Sequence, residues 1–216
     1  MTAFALVRHG ETDWNRARRI QGATDIPLND TGREQARAAG RIVSGRAWSR
    51  IVASPLVRAA ETARLIAAEA GLGEPELDTA FVERNYGEAE GLTGAELDAR
   101  FPEGVEVPGR ESREAVGERV VAALHRLAAE HPGESIIVVA HGGVIRSVLE
   151  SVAPGRHREP ITNGSVHSFQ HADGGLELVR FDDPIDEESI FPFAEDFLEQ
   201  NPLARRERER EQRAGA

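Results

Sequence analysis

Short apolar runs rich in β-branched residues alternate along the chain with longer alanine-rich segments whose apolar positions recur every three to four residues. The short runs match buried strands and the longer period matches one face of a helix. Their alternation predicts βα units around a mostly parallel sheet. Residues 4–8 form the first expected strand. A polar loop through Gln21-Gly22 and Pro27 follows, and Thr31-Gly32-Arg33-Glu34 opens a helix reaching about Gly45. Residues 50–53 read as a short second strand. Ser54-Pro55 then reads as cap and first helical residue of a helix that stops at Gly71.

Residues 77–82 read as an extended segment leading into Glu83-Arg84-Asn85-Tyr86-Gly87, and residues 91–110, interrupted by Gly and Pro, as a lid or excursion. Val116, Val120, Ala123, Leu124 and Leu127 recur at helical spacing, so residues 112–130 are expected to form an amphipathic helix ending before Pro132. SIIVVA at 135–140 is the clearest buried strand, with a helix from Gly143 to about Val152 after it. Residues 166–169 and 176–181 read as strands joined by an Asp173-Gly174-Gly175 turn. The tail beyond Pro184 loses the pattern, and its charge alternation ARREREREQ at 204–212 reads as a frayed helix or a disordered run.

Two expected strands finish alike, one in His9-Gly10 and the other in His141-Gly142-Gly143. Carboxyl ends of parallel strands share one edge, where ligands of open α/β sheets bind, so the two histidines are expected to meet. Arg58 falls in the first turn of its helix, where a cation opposes the macrodipole unless an anion lies nearby. Together with Arg8 and the amides beside Gly10 and Gly142, these residues make a cluster lacking its own counter-charge, suited to a phosphate dianion. A neutral imidazole there can attack phosphorus. A carboxylic acid must then protonate the leaving oxygen, and spacing leaves Glu83 and Glu11 as candidates. Taken singly, Arg58 reads equally well as an ion-pair partner of Glu61, and a lone strand-end histidine as a structural residue. His167 and His171 stand four apart in a strand-like segment, about 13 Å along it, which argues against a shared metal ion. His125, His131 and His157 show no partner pattern and read as surface residues.

Composition narrows the chemistry. At 216 residues the chain fits one domain, and no segment has the apolar length of a membrane span or signal peptide, so a soluble cytoplasmic protein without a membrane partner is expected. The absence of cysteine excludes disulfides and thiolate chemistry, and the absence of lysine excludes a Walker lysine, a Schiff base and a lysine base. A net charge of -11 argues against a nucleic-acid partner.

The stretch LVRHGETDWN resembles the signature of the histidine phosphatase superfamily, the phosphoglycerate mutase-like proteins. The resemblance continues through Gln21-Gly22, Asp25-Ile26-Pro27-Leu28, Thr31-Gly32, SPLVRAAETA, ERNYGEAEG, GRES, VVAHGGVIR and NGSV at Asn163. It implies a three-layer α/β/α sandwich with a mainly parallel sheet, a domain over residues 1–184, a tail at 185–216, and hydrolysis without metal or organic cofactor. By the same resemblance His9 is the phosphorylated nucleophile, Arg8, Arg58 and His141 hold the phosphoryl group, and Glu83 rather than Glu11 is the proton donor. Asn15 and the Gly142 amide match further phosphate contacts, and Gln21 and Gly22 a substrate-facing loop. Ala23 stands where relatives often carry an aromatic side chain.

The expected activity is hydrolysis of a small phosphomonoester by a histidine acid-type phosphatase. A cofactor-dependent phosphoglycerate mutase is the alternative within the family, and ERNYG has mutase-like wording. The mutases resembled carry a longer basic insertion, whereas residues 92–110 here are short and acidic, with only Arg100 and Arg110 basic. An inactive phosphate-binding scaffold is the alternative of another class; scaffolds of this kind have usually lost catalytic residues, and all five are present here.

Overall fold

Alternating burial along two neighbouring strands builds the centre of the molecule. In the computed structural model, which describes residues 1–183 together with Leu203, Arg206, Arg210 and Arg213, Phe4 and Leu6 share one apolar cluster with Ile136 and Val138. Ala5 and Val7 share another with Ile137 and Val139. Successive side chains of a strand point to opposite faces, so both faces of this sheet are covered.

The strands are β1 (Thr2–Arg8), β2 (Arg50–Ala53), β3 (Glu76–Leu77), β4 (Ser135–Ala140), β5 (Val166–Ala172) and β6 (Gly175–Arg180). They form one sheet in the order β3-β2-β4-β1-β5-β6, parallel from β3 to β1 and antiparallel from β1 to β6. The helices are α1 (Asp13–Arg16), α2 (Asp30–Val43), α3 (Val57–Ala70), α4 (Gly94–Arg100), α5 (Arg113–Glu130) and α6 (Gly142–Val152). Val116, Leu124 and Leu127 of α5 and Ile145 and Val148 of α6 cover one face. Ala39 and Val43 of α2 and Ala63 and Ile66 of α3 cover the other. The result is the three-layer α/β/α sandwich. No helix among the described residues is long and apolar enough to cross a membrane.

Several expected boundaries shift, each for a local reason. The helix expected to start at Ser54-Pro55 begins at Val57, with Leu56 extended at φ -59 and ψ 134. Ser54 Oγ faces His141 and accepts from the Leu56 amide. The cap comes instead from Asp25, whose Oδ1 takes the Val57 amide at 2.7 Å. Within 77–82 only Leu77 pairs with β2, because Asp78 caps the Ala80 amide and turns Thr79–Phe81 into a 3-10 helix. Strand β5 runs on to Ala172, and the turn to β6 is Asp173-Gly174 alone, with φ 51 and 80; Gly175 already pairs in β6.

Two short helices lie where loops were expected. Thr12 and Asn15 form a reciprocal capping box that starts α1, and Thr93 and Glu96 form another that starts α4 within the excursion. Leu97, Phe101 and Val107 of that excursion bury themselves with Ile20, Tyr86, Ala89 and Leu203 in a third apolar cluster. The terminal run at 204–212 lies outside the described residues except for Arg206 and Arg210. Arg206 donates to the Phe101 carbonyl at 2.7 Å and pairs with Asp98.

Candidate active site

The register of two parallel strands sets the site. Arg8 is level with Ala140, so the chain leaves β1 and β4 at the same height through His9 and His141. Their ring centroids are 5.1 Å apart with a 59° interplanar angle. The His9 backbone is held on both sides: its amide donates to Ala140 O at 3.0 Å, and its carbonyl accepts from Asn163 Nδ2 at 2.9 Å.

Hydrogen bonding fixes the His9 tautomer. Nδ1 lies 2.6 Å from the Gly10 carbonyl, which can only accept, so Nδ1 carries the proton and Nε2 presents a lone pair. Burial lowers the pKa of His9 well below the usual imidazole value, and the Arg58 and Arg8 charges lower it further against the Gly10 bond. The ring is therefore neutral at neutral pH. His141 is lowered in the same way, by burial first and then by Arg58, His9 and Arg8. Its Nε2 lies 2.9 Å from Ser54 Oγ. The Ser54 hydroxyl also accepts from Leu56 N, which leaves it a proton and a lone pair, so either partner can donate in the bond to His141. His141 Nδ1 is buried and has no hydrogen-bond partner among the described residues.

Two guanidinium groups flank the rings, Arg58 buried and Arg8 half-buried. Arg58, fully buried in the first turn of α3, donates from Nη2 to Gly22 O at 2.7 Å and from Nη1 to Thr24 O at 2.8 Å. Arg8 Nη1 donates to Ile161 O at 2.6 Å. Burial lowers both to about 10, with Glu83 pulling each back up, so both remain cationic at neutral pH. A buried cation such as Arg58, whose outer nitrogens meet neutral carbonyls, favours an incoming anion.

Glu83 reaches the same place from the segment after the 3-10 helix. Its Oε1 accepts from the Arg84 amide at 2.8 Å, and its Oε2 from the Gly143 amide in the first turn of α6 at 3.1 Å. Glu11, the other carboxylate the spacing allowed, turns away to Asn29 Nδ2 at 2.7 Å and Arg16 Nε at 3.4 Å. Gly142 lies against Arg8: a Cβ built on it would be 3.5 Å from Arg8 Nε. Asn15 is buried, and its Oδ1 accepts from Thr12 and, at 3.4 Å, from Asn163. Gly22 joins the cluster through its carbonyl, which Arg58 holds, whereas the Gln21 carbonyl accepts from the Thr24 amide and its buried Oε1 has no partner among the described residues.

Buried polar atoms lacking a partner are few in a folded protein and call for a reason. Arg58 Nε, His141 Nδ1, Asn163 Oδ1 and Gln21 Oε1 are such atoms here, and three of the four residues contact this cluster directly. Asn163, Ser54, Thr62 and Tyr86 belong to the site's framework although the sequence pattern did not single them out as site residues. Thr62 Oγ1 accepts from Gly10 N at 3.1 Å and donates to Arg58 O at 2.7 Å, tying the His9 loop to α3. All four lie inside motifs that carry the family resemblance: Ser54 and Thr62 in SPLVRAAETA, Tyr86 in ERNYGEAEG and Asn163 at the head of NGSV.

The remaining histidines make contacts that sequence did not suggest. His125 and His171 share a hydrogen bond of 2.8 Å, and His157 stacks on Phe181. His167 is buried between Ser165 Oγ and the Asp182 amide. His167 and His171 thus have separate partners. No group of three or more potential metal-ligating side chains occurs among the described residues.

Solved structures with this arrangement of sheet and helices are phosphoglycerate mutase-like phosphatases, and that is the class to which fold and site point. One is a mycobacterial glucosyl-3-phosphoglycerate phosphatase complexed with VO3, at 29% identity and a TM-score of 0.76, covering 83% of this chain and 98% of that one. The chain belongs to the histidine phosphatase superfamily, branch 1, whose family model matches residues 4–184. It is 43% identical over 155 residues to the uncharacterized phosphatase PhoE of Bacillus subtilis, covering 72% of this chain and 79% of that protein. It is 42% identical over 184 residues to phosphoglycerate mutase-like protein 4 of Arabidopsis thaliana, covering 79% and 80%.

Proposed function

We propose that the protein hydrolyses small phosphomonoesters through a phosphohistidine on His9, without a metal ion. The observation that carries the reading is the His9 tautomer: a neutral ring whose Nδ1 proton is held by Gly10 O, leaving Nε2 open beside the Arg58 and Arg8 cations. The substrate phosphoryl group sits between Arg8 and Arg58, with the unpartnered His141 Nδ1 and the Asn15 side-chain amide as further contacts. His9 Nε2 attacks phosphorus and the ester P–O bond breaks. Glu83, in its acid form, gives the departing oxygen a proton. Water then attacks the phosphohistidine, loses its proton to Glu83, and inorganic phosphate leaves. The two arginines meet charge that spreads over the phosphoryl oxygens in the transition state, in a site already desolvated.

A phosphatase reading is favoured over a mutase by the excursion at 91–110. It is short and acidic, with two arginines in place of a longer basic insertion, and one of them, Arg100, pairs with Glu88. The test is turnover of p-nitrophenyl phosphate in EDTA, abolished by His9→Ala. A metal requirement, or full turnover by His9→Ala, overturns the mechanism, and no turnover of any phosphomonoester favours the scaffold. With 3-phosphoglycerate and catalytic 2,3-bisphosphoglycerate, formation of 2-phosphoglycerate identifies a mutase. A panel of phosphorylated metabolites, phosphorylated amino acids and sugar acids included, then ranks substrates.

A further inference from the structure

A carboxylate outside the catalytic cluster holds the loop on which Arg58 depends. Glu90 follows the short 3-10 turn Gly87–Ala89, and its two oxygens meet four donors from two segments. Oε1 accepts from the amides of Ala23 at 2.9 Å and Tyr86 at 3.1 Å. Oε2 accepts from the Thr24 amide at 2.9 Å and from the Thr24 hydroxyl. The carbonyls of the same loop, at Gly22 and Thr24, take the two outer nitrogens of Arg58. Glu90 thus grips the amide side of a loop whose carbonyl side grips the guanidinium.

The fit leaves no slack. Gly22 has φ 58, and a Cβ on it would lie 1.9 Å from Glu90 Oε1. Tyr86 links the clamp to the other half of the site. A Cβ placed on Gly143 would be 3.1 Å from the Tyr86 hydroxyl and 2.5 Å from Glu83 Oε1, so hydroxyl and acid converge on one point.

We propose that Glu90 is a positioning residue of the phosphate site, which clamps the loop at 21–24 to the segment bearing Glu83 and thereby fixes Arg58 beside His9. The inference rests on the reading of Arg58 as a phosphoryl ligand. The Glu90 charge also works against the desolvation of Arg58, after those of Glu83 and Asp25. A carboxylate is suited to this place because all four of its neighbours are donors; an amide would turn an N–H group onto two of them.

The experiment measures the dissociation constant for orthovanadate, a phosphoryl mimic, by titration calorimetry, together with Tm. The proteins are the parent, Glu90→Gln, Glu90→Ala, Arg58→Ala and the Arg58→Ala/Glu90→Ala double variant. Glu90→Ala is expected to weaken orthovanadate about tenfold, and Glu90→Gln by less, with a further loss below about twofold once Arg58 is already gone. An equally large further loss without Arg58, or a lowered Tm with unchanged orthovanadate affinity, overturns the proposal and makes Glu90 a staple of the fold only. If Arg58→Ala itself leaves the affinity unchanged, the phosphate-site reading fails instead. Should Glu90→Ala not fold, Glu90→Gln and Gly22→Ala, which drives a methyl group into the clamp, carry the same comparison.

Discussion

At the scale of single residues, the site works by combining burial with unequal hydrogen-bond use. His9 has one nitrogen saturated by a carbonyl and the other open, and its burial, with the Arg58 and Arg8 charges, keeps it neutral. That is the state a nucleophile needs, and no further base is required to produce it. Glu83 differs from Glu11 in what it touches: one carboxylate faces the first turn of α6, the other Asn29 and Arg16. The Glu83→Gln variant is therefore expected to lose about a hundredfold or more in kcat/KM on alkyl phosphates and under about tenfold on p-nitrophenyl phosphate, whose leaving group needs little protonation. Equal losses on both substrates, measured by phosphate release, count against Glu83 as the acid.

Among elements, α6 and α3 deliver groups to the sheet edge, and each start is shaped by a distant segment. The first turn of α6 meets the Glu83 carboxylate through the Gly143 amide, and only a glycine leaves room there, since a Cβ would lie 2.5 Å from Glu83 Oε1. Gly143→Ala is expected to reproduce much of the leaving-group dependence of Glu83→Gln while the affinity for orthovanadate changes less than about threefold, because it displaces Glu83, the proposed acid, and spares the arginines. A parallel collapse of orthovanadate affinity speaks against that division. Helix α3 takes its cap from Asp25 across 32 positions of sequence. Asp25→Ala is expected to cost about 1 kcal/mol in denaturant unfolding, the usual loss of a cap. An unchanged midpoint shows that the Val57 amide finds another acceptor.

Across the whole molecule, buried neutral histidines link the fold to pH. Burial lowers His167 to about 3, and His9 and His141 well below the usual 6.5. The unfolded chain binds protons at these three positions as pH falls through about 6.5, while the folded chain does not. Stability is thus fully present above that pH and declines below it, by up to about 1.4 kcal/mol per pH unit for each histidine, with the His167 contribution running down to about 3. Urea midpoints at about pH 7.5, 6 and 5 check this, and His167→Gln is expected to flatten the decline if the side chain keeps its Ser165 contact. Midpoints independent of pH over that interval contradict neutral burial.

The sequence by itself determined the parallel core and the family, because these depend on local periodicity and on short motifs contiguous in the chain. Residues 50–53 and 135–140 are strands as their apolar runs require, and Gly71 ends its helix with φ 68. The same locality made His9, Arg8, Arg58, Glu83 and His141 legible as candidates. What only the tertiary structure decided are interactions between segments far apart in sequence. It put the cap of α3 on Asp25 rather than Ser54, directed Glu11 away from the site, packed the excursion around Leu97 and Leu203, and gave Glu90 four donors from two loops. A side chain's partners at such range follow from how sheet register and helix packing fold the chain back on itself, and no local pattern of polar and apolar positions encodes that.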